Sequence, residues 1–174
     1  MALTNKLVPF DERWKKKFLE EAESLKGVFG DSVIEIHHVG STAIPGIYAK
    51  PEIDVLVVIK GIDTIETFSK AMEANGFRVR GEEVETGRFY YSKDVNGVRT
   101  CKVHVCENNH PNVKNQLNFR DYLIAHPEIA KEYSDLKLSL AKSNTRGIVE
   151  YIEGKDSFVQ KILTISTNVR LDNA

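Results

Sequence analysis

The sequence predicts an α+β fold: a mixed or antiparallel sheet of about five strands, with flanking helices and a helical C-terminal part. Three observations predict it. Hydrophobic periodicity changes along the chain in the order helix, strand, strand, helix, three strands and then about three helices. Asn96-Gly97, between two strand-like runs, is a two-residue hairpin signal, so at least one strand pair is antiparallel. From Pro111 onward the pattern is helical, so strands and helices are segregated, which argues against a doubly wound parallel sheet.

Each element has its own signal. Asp11 precedes a helix in which Trp14, Phe18, Ala22, Leu25 and Phe29 share one face, and Gly30 closes it as a C-terminal cap would. Residues Ser32 to Val39 carry apolar side chains near every second position, the pattern of a half-covered strand. Ile53 to Ile59 is almost wholly apolar, as a central strand covered on both faces is. Between these strands GSTAIPGIYAKP is dense in Gly, Pro and Ser and predicts tight turns, with a short helical turn beginning near Ser41. Asp63 is the expected cap of a helix carrying Ile65, Phe68 and Met72 on one face and ending at Asn75-Gly76. Phe77 to Val79, Arg88 to Lys93 and Val98 to Cys106 read as strands. The last three helices are expected over NVKNQLNFRDYLIAH, PEIAKEYSDLKLSLAKS and TRGIVEYIEGKDSFVQKILTIS, with the final VRLDNA fraying.

With 174 residues the chain is long enough to bury a core in one domain, and at 41% apolar and 28% charged residues it needs neither staples nor disorder. A net charge of -1 offers no global attraction to nucleic acid or to an acidic membrane, so any phosphate must be caught locally. No run approaches the roughly 18 apolar residues of a membrane span, and MALTNKLVPFDERWKKKF has no signal core, so a cytoplasmic protein is expected. Cys101 and Cys106 fall five residues apart on one strand, on opposite faces, and are not expected to bridge.

One stretch, HHVGSTAIPGIYAKPEIDVLVVI, concentrates the chemistry. Gly40 and Ser41, with Thr42, end a strand and open a helical turn, a place where amides and a hydroxyl meet an anion; the plainer reading is a Ser cap after a Gly turn. Twelve residues on, Asp54 stands at the entrance to the apolar strand, and Glu52 shares its strand face, so the two form a candidate Mg²⁺ site. The alternatives are an Asp54 that satisfies a backbone donor and a Glu52 that is solvated after Pro51. His104 lies with Lys102 and Cys106 on the face opposite Val103 and Val105, and counting back from Asn96-Gly97 sets Phe89 opposite His104 and Tyr91 opposite Lys102. It is either an acid-base residue or a half-buried His packed on Phe89. His38 is a second candidate. Lys50 and Arg88 are the expected phosphate contacts, with Arg120, Arg146 and Lys155 also considered, whereas Asp135 and Lys137 are expected to make ordinary helix pairs. Zinc is disfavoured by ligand spacing, and a Ser41 hydrolase lacks the G-x-S-x-G context.

These motifs resemble the GrpB family of bacterial proteins, placed in the nucleotidyltransferase superfamily. The resemblance runs over nearly the whole chain, through VPFDERW, the stretch above, RFYYS, VHV, FRDYLIAHPEIAKEYSDLK and the Arg146, Tyr151, Lys155 pattern. It implies a single nucleotidyltransferase-like domain over 1-174, helical from about 111 to 168. In the superfamily a Gly-Ser pair precedes a strand bearing two alternate carboxylates, with a third on a later strand; Ser41 and Asp54 match the first two roles. Leu56 stands where the second carboxylate belongs, His37-His38 replaces the family's frequent Glu-His, and the later strand offers His104. Glu52, Glu83, Glu85 or a His would have to complete a metal shell.

Two functions follow as expectations: transfer of a nucleotidyl group from a nucleoside triphosphate, with Mg²⁺, to an acceptor the sequence does not specify, or a non-catalytic module binding a nucleotide or a partner on the same fold with a degenerate metal site.

Overall fold

The computed structural model describes residues 6–61, 65–83 and 87–172. In chain order these form α1 (Arg13–Phe29), β1 (Val33–Val39), β2 (Ile53–Ile59), α2 (Ile65–Ala74), β3 (Phe77–Glu83), β4 (Arg88–Val95), β5 (Val98–Glu107), α3 (Pro111–Ala125), α4 (Pro127–Ser143) and α5 (Ile148–Asp172). The sheet is five-stranded in the order β1-β2-β5-β4-β3. Only β2 and β5 run parallel; the other neighbours are antiparallel, so the sheet is mixed.

The uniformly apolar run of β2 follows from its place. It is hydrogen-bonded on both edges and covered on both faces, which leaves no side chain but Asp54 at its entrance partly open. Toward α1 and α2, Ile53, Val55, Val57 and Ile59 pack with Trp14, Leu25, Phe29, Phe68 and Met72 and with Phe89, Tyr91, Val103 and Val105. Toward α3, Leu56 and Val58 pack with Val39, Cys106, Val113 and Leu117. Cys101 and Cys106 are both buried, and they belong to these two opposite layers.

A third cluster joins the loop after β1 to the helical part: Ile44 and Ile47 pack with Leu123, Ala130 and Tyr133. The loop is tied further where the Tyr48 amide donates to Ser134 Oγ at 2.8 Å. Helices α4 and α5 approach closely at Gly154, where a β-carbon would meet Leu140 Cδ2 at 2.4 Å. That approach brings Tyr151 and Lys155 of α5 to the side of α4 that carries Tyr133 and Lys137.

Several expectations are corrected. β3 extends to Glu83, four residues beyond Val79, because an edge strand tolerates the charged run that follows; its register shifts between Val79 and Gly81. The hairpin register holds at Val95–Val98 and Asp94–Arg99 but slips by one at Lys93, which faces Cys101. Thr100 is the extra residue, its hydroxyl donating to Lys93 O at 3.2 Å. His104 therefore faces Tyr90, not Phe89, and Lys102 faces Ser92, not Tyr91. α5 begins at Ile148, after Asn144 has closed a turn on Gly147 and Glu150 has taken the Thr145 and Arg146 amides, and its backbone is helical through Asp172, past the expected fraying. Asp63, the expected cap of α2, lies outside the described residues, as does Glu85.

Candidate functional site

Gly40 ends β1 with φ 69° and ψ -171°, a conformation nearly restricted to glycine. The reason is Asp54: a β-carbon on Gly40 would lie 2.4 Å from Asp54 Oδ2. The backbone thus turns over the carboxylate and delivers Ser41 into a single short helical turn, Ser41–Ala43. Ser41 is hydrogen-bonded to the buried phenol of Tyr133, whose own ionisation is pushed up to about 12 by burial. Thr42 is only 2% exposed. Its hydroxyl donates to Glu52 O at 3.2 Å and so accepts from His38 Nε2 at 3.0 Å, which fixes the loop.

Asp54 stands on β2 in register with Val39 on one side and Lys102 on the other. Burial raises its carboxyl above the ordinary range and Glu52 adds to this, while Lys102, Lys155 and Lys137 oppose it. Glu52 is 5% exposed and pairs with Lys102 Nζ at 2.7 Å, so it is not the solvated residue its place after Pro51 suggests. Burial alone would lower Lys102, but Asp54 and then Glu52 overcome it and hold the ammonium above its ordinary value.

These residues floor a cleft of about 530 Å³ between the sheet and the helical part. Five cations line it, Lys50, Arg99, Lys102, Lys137 and Lys155, against three carboxylates, Glu52, Asp54 and Asp94. Arg99 and Asp94 pair at 3.0 Å. Lys50 and Lys155 lie over the Tyr151 ring, at 5.2 and 4.6 Å from its centroid, and Lys137 lies 4.7 Å from that of Tyr133. Lys137 is 2% exposed and donates to Tyr48 O. Burial, followed by the charge of Lys155, pulls its ammonium down to about 7. Burial, Lys102 and Lys50 bring Lys155 to about 8, and Lys50 is also lowered, chiefly by burial. The rim is apolar, with Leu7, Ile148 and Ile152.

The structure thus brings Gly40, Ser41, Thr42, Lys50, Glu52 and Asp54 together, with Lys155 beside them. It separates others. Arg88 and His104 share the sheet face of Asp54 but line a neighbouring pocket of about 260 Å³ with Gly81 and Tyr90. In register, Arg88 lies two strands from Asp54 and four residues along, a displacement of roughly 13 Å along the strand alone. Tyr90 stacks on His104 at 5.1 Å, and burial lowers the imidazole to about 4, so it is neutral near pH 7. His38 faces the other side of the sheet, stacked on Phe18 at 4.8 Å, because it is one residue out of phase with Val39, the neighbour of Asp54. Arg120 donates to His38 O and pairs with Asp121, and Arg146 is exposed beside Glu150. Asp135 pairs with Lys131, but Lys137 makes no ordinary helix pair: it points into the cleft.

Lys102, Arg99 and Lys137 were the residues missed. Lys102 shares strand parity with His104 and register with Asp54, but the pairing of β2 with β5 is invisible in sequence. For Lys137 the signal is local: it follows Tyr133 by four residues on the face that buries Ala130 and Tyr133.

The donors do not fit a two-metal site. Leu56 is fully buried under Val113 and Leu117, and the register position beside Asp54 holds an ammonium rather than a third carboxylate. A divalent ion about 4 Å from that ammonium would be repelled by about 8 kcal/mol at an effective dielectric of about 20. Among the described residues no group of three or more His, Cys, Asp or Glu converges to hold a metal. Among them too, no helix is long and apolar enough to cross a membrane.

The family described as GrpB protein matches residues 4–164. UPF0157 protein YqkA of Bacillus subtilis is 45% identical over 154 residues, covering 88% of this chain, which spans only 45% of that protein's length. Glutamate-rich protein GrpB of Alkalihalophilus pseudofirmus is 35% identical over 162 residues, covering 90% of this chain and 92% of that one. The crystal structure of conserved protein GrpB from Enterococcus faecalis superposes with a TM-score of 0.88 at 32% identity, over 95% of this chain and 99% of that one. A weaker likeness, of chain path alone, reaches Cid1 in complex with its short product ApU, with a TM-score of 0.46 at 16% identity over 75% of this chain and 43% of that one.

Proposed function

The chain belongs to the GrpB family, and from that premise we propose that its cleft binds a nucleotide through the polyphosphate. One observation carries the reading: five cations from β2's approach, β5, α4 and α5 converge on Ser41 and Asp54 in a protein whose net charge is -1. Three of them, Lys50, Lys137 and Lys155, are lowered mainly by burial, so holding them together without an anion is costly and an anion relieves that cost. Several charge-assisted donors around one volume are what a chain of phosphates requires. At about 530 Å³ the cleft is in the range of small-molecule sites, and its apolar rim of Leu7, Ile148 and Ile152, with Tyr90, suits a nucleoside.

Nucleotidyl transfer to an acceptor is the second reading, favoured by the contact between Gly40 and Asp54, which sets a carboxylate beside the Ser41 turn. Asp54, raised by burial, would accept the acceptor's proton, and Lys102 would face the charge that develops on the phosphate. The experiment that separates the readings is a nucleotide panel followed by thermal melting and by release of pyrophosphate. Stabilisation without release supports a binding module; release lost in Asp54→Asn supports transfer; neither signal removes the nucleotide reading altogether.

A further inference from the structure

We infer that Lys102 stands where a divalent cation would stand in this cleft, so that phosphate binds against a built-in ammonium and needs no metal ion. The inference rests on the cleft being an anion site, as proposed above, but its first test does not. Lys102 is the direct β5 neighbour of Asp54, and its Nζ lies 2.7 Å from Glu52 Oε2. The ammonium therefore serves the two carboxylates that would otherwise be the oxygen donors of a metal. On two sides of Asp54 no further carboxylate is supplied: Gly40 packs against Oδ2, and the next inward position on the same strand face is the buried Leu56.

A Mg²⁺ ion demands near-octahedral oxygen ligands at about 2.0–2.1 Å and dehydrates reluctantly. Here it would have to displace Lys102 from Glu52 and then tolerate that ammonium nearby. A phosphate oxygen has the opposite preference. It gains a partner in Lys102, with Lys155 and Lys137 opposite, and the two carboxylates keep Lys102 charged and aimed by their own negative charge. Glu52 and Asp54 are, on this account, positioning residues for a cation.

The test titrates Mn²⁺ into the wild-type protein with no nucleotide present and follows free Mn²⁺ by its electron paramagnetic resonance signal. The wild type is expected to take up no Mn²⁺ below about millimolar concentration. Lys102→Met, which removes the ammonium that pairs with Glu52 and stands in register with Asp54, is expected to acquire a Mn²⁺ site at least about tenfold tighter, whereas Lys102→Arg stays without one. One Mn²⁺ bound by the wild type and lost in Asp54→Asn overturns the inference, as does a folded Lys102→Met that gains no site. Should Lys102→Met fail to fold, the wild-type titration still decides. A second arm measures inorganic tripolyphosphate binding in EDTA and in Mn²⁺. Equal affinity supports the inference, and binding only with Mn²⁺ overturns it. Absence of tripolyphosphate binding in both conditions refutes the anion site, and with it the phosphate half of the inference, while the Mn²⁺ arm decides the rest separately.

Discussion

Gly40 and Asp54 meet so closely that a β-carbon on Gly40 would lie 2.4 Å from Asp54 Oδ2. The contact couples the end of β1 to the start of β2 and fixes the Ser41 turn over the carboxylate. Gly40→Ala adds a steric clash to a backbone conformation that costs about 1–3 kcal/mol for a residue with a β-carbon. Urea unfolding is expected to show at least that loss. In a double-mutant cycle with Asp54→Ala, the contacts with Oδ2 and Cγ are removed, but the approach to the β-carbon of residue 54, at 2.9 Å, and the backbone cost remain, so the second substitution restores only part of the stability.

Lys137 predicts how stability responds to pH. Its ammonium is lowered to about 7 in the folded protein, against about 10.4 for a free lysine. Below pH 7 both states carry the proton and the folded state bears the full cost of burying it. Between about 7 and 10 the unfolded chain binds more protons than the folded one, so this group's contribution to stability rises with pH. Lys137→Met, which removes the buried charge, is expected to be more stable than the wild type at pH 6, on the order of 1–3 kcal/mol, with the gap closing toward pH 10. Chemical denaturation across that range measures it; a gap that widens with pH contradicts the assignment.

The same lysines predict a proton signature for ligand binding. A phosphate between Lys137 and Lys155 favours their charged forms, so at pH 8 binding is expected to take up about one proton. Calorimetry of tripolyphosphate binding in buffers of different ionisation enthalpy reads this directly, and the uptake should shrink as the pH falls to 6.

Leu56→Asp separates two ideas about the missing carboxylate. If the position merely lacked a ligand, an acid there would complete a metal site. Leu56 is fully buried beneath Val113 and Leu117, so the substitution is expected to destabilise the fold by on the order of 3 kcal/mol or more and to yield no Mn²⁺ binding. Urea unfolding with and without Mn²⁺ checks both parts.

The parts of this structure that were legible in the sequence are those set by local pattern. The apolar run of β2 announced a central strand, Asn96-Gly97 announced a hairpin, and the Gly-Ser pair announced a tight turn opening a short helical turn at Ser41. What was not legible depends on how distant segments pair. The Thr100 bulge shifts the β4–β5 register by one and exchanges Phe89 for Tyr90 opposite His104, and no turn signal encodes it. The parallel pairing of β2 with β5 makes Lys102 the neighbour of Asp54 across about 48 residues of chain, a juxtaposition only tertiary structure creates. Lys137 and Lys155 reach the cleft because Gly154 allows α5 to close on α4; alone, each reads as a surface lysine. Arg88, an expected phosphate contact, lines the neighbouring pocket four residues along the sheet from Asp54, a placement that also depends on the pairing of distant strands.

Polyphosphate binding in the lysine-lined cleft is the proposal on which the metal-free reading of Lys102 also rests. Isothermal titration of ATP and of inorganic tripolyphosphate, into the wild type and into Lys137→Met/Lys155→Met, tests it most directly. Saturable binding at one site is expected, tight enough to raise the melting temperature, and weakened at least about tenfold in the double variant while the variant stays folded. No heat and no thermal shift with either ligand at millimolar concentration, or equal affinity in the double variant, would contradict it.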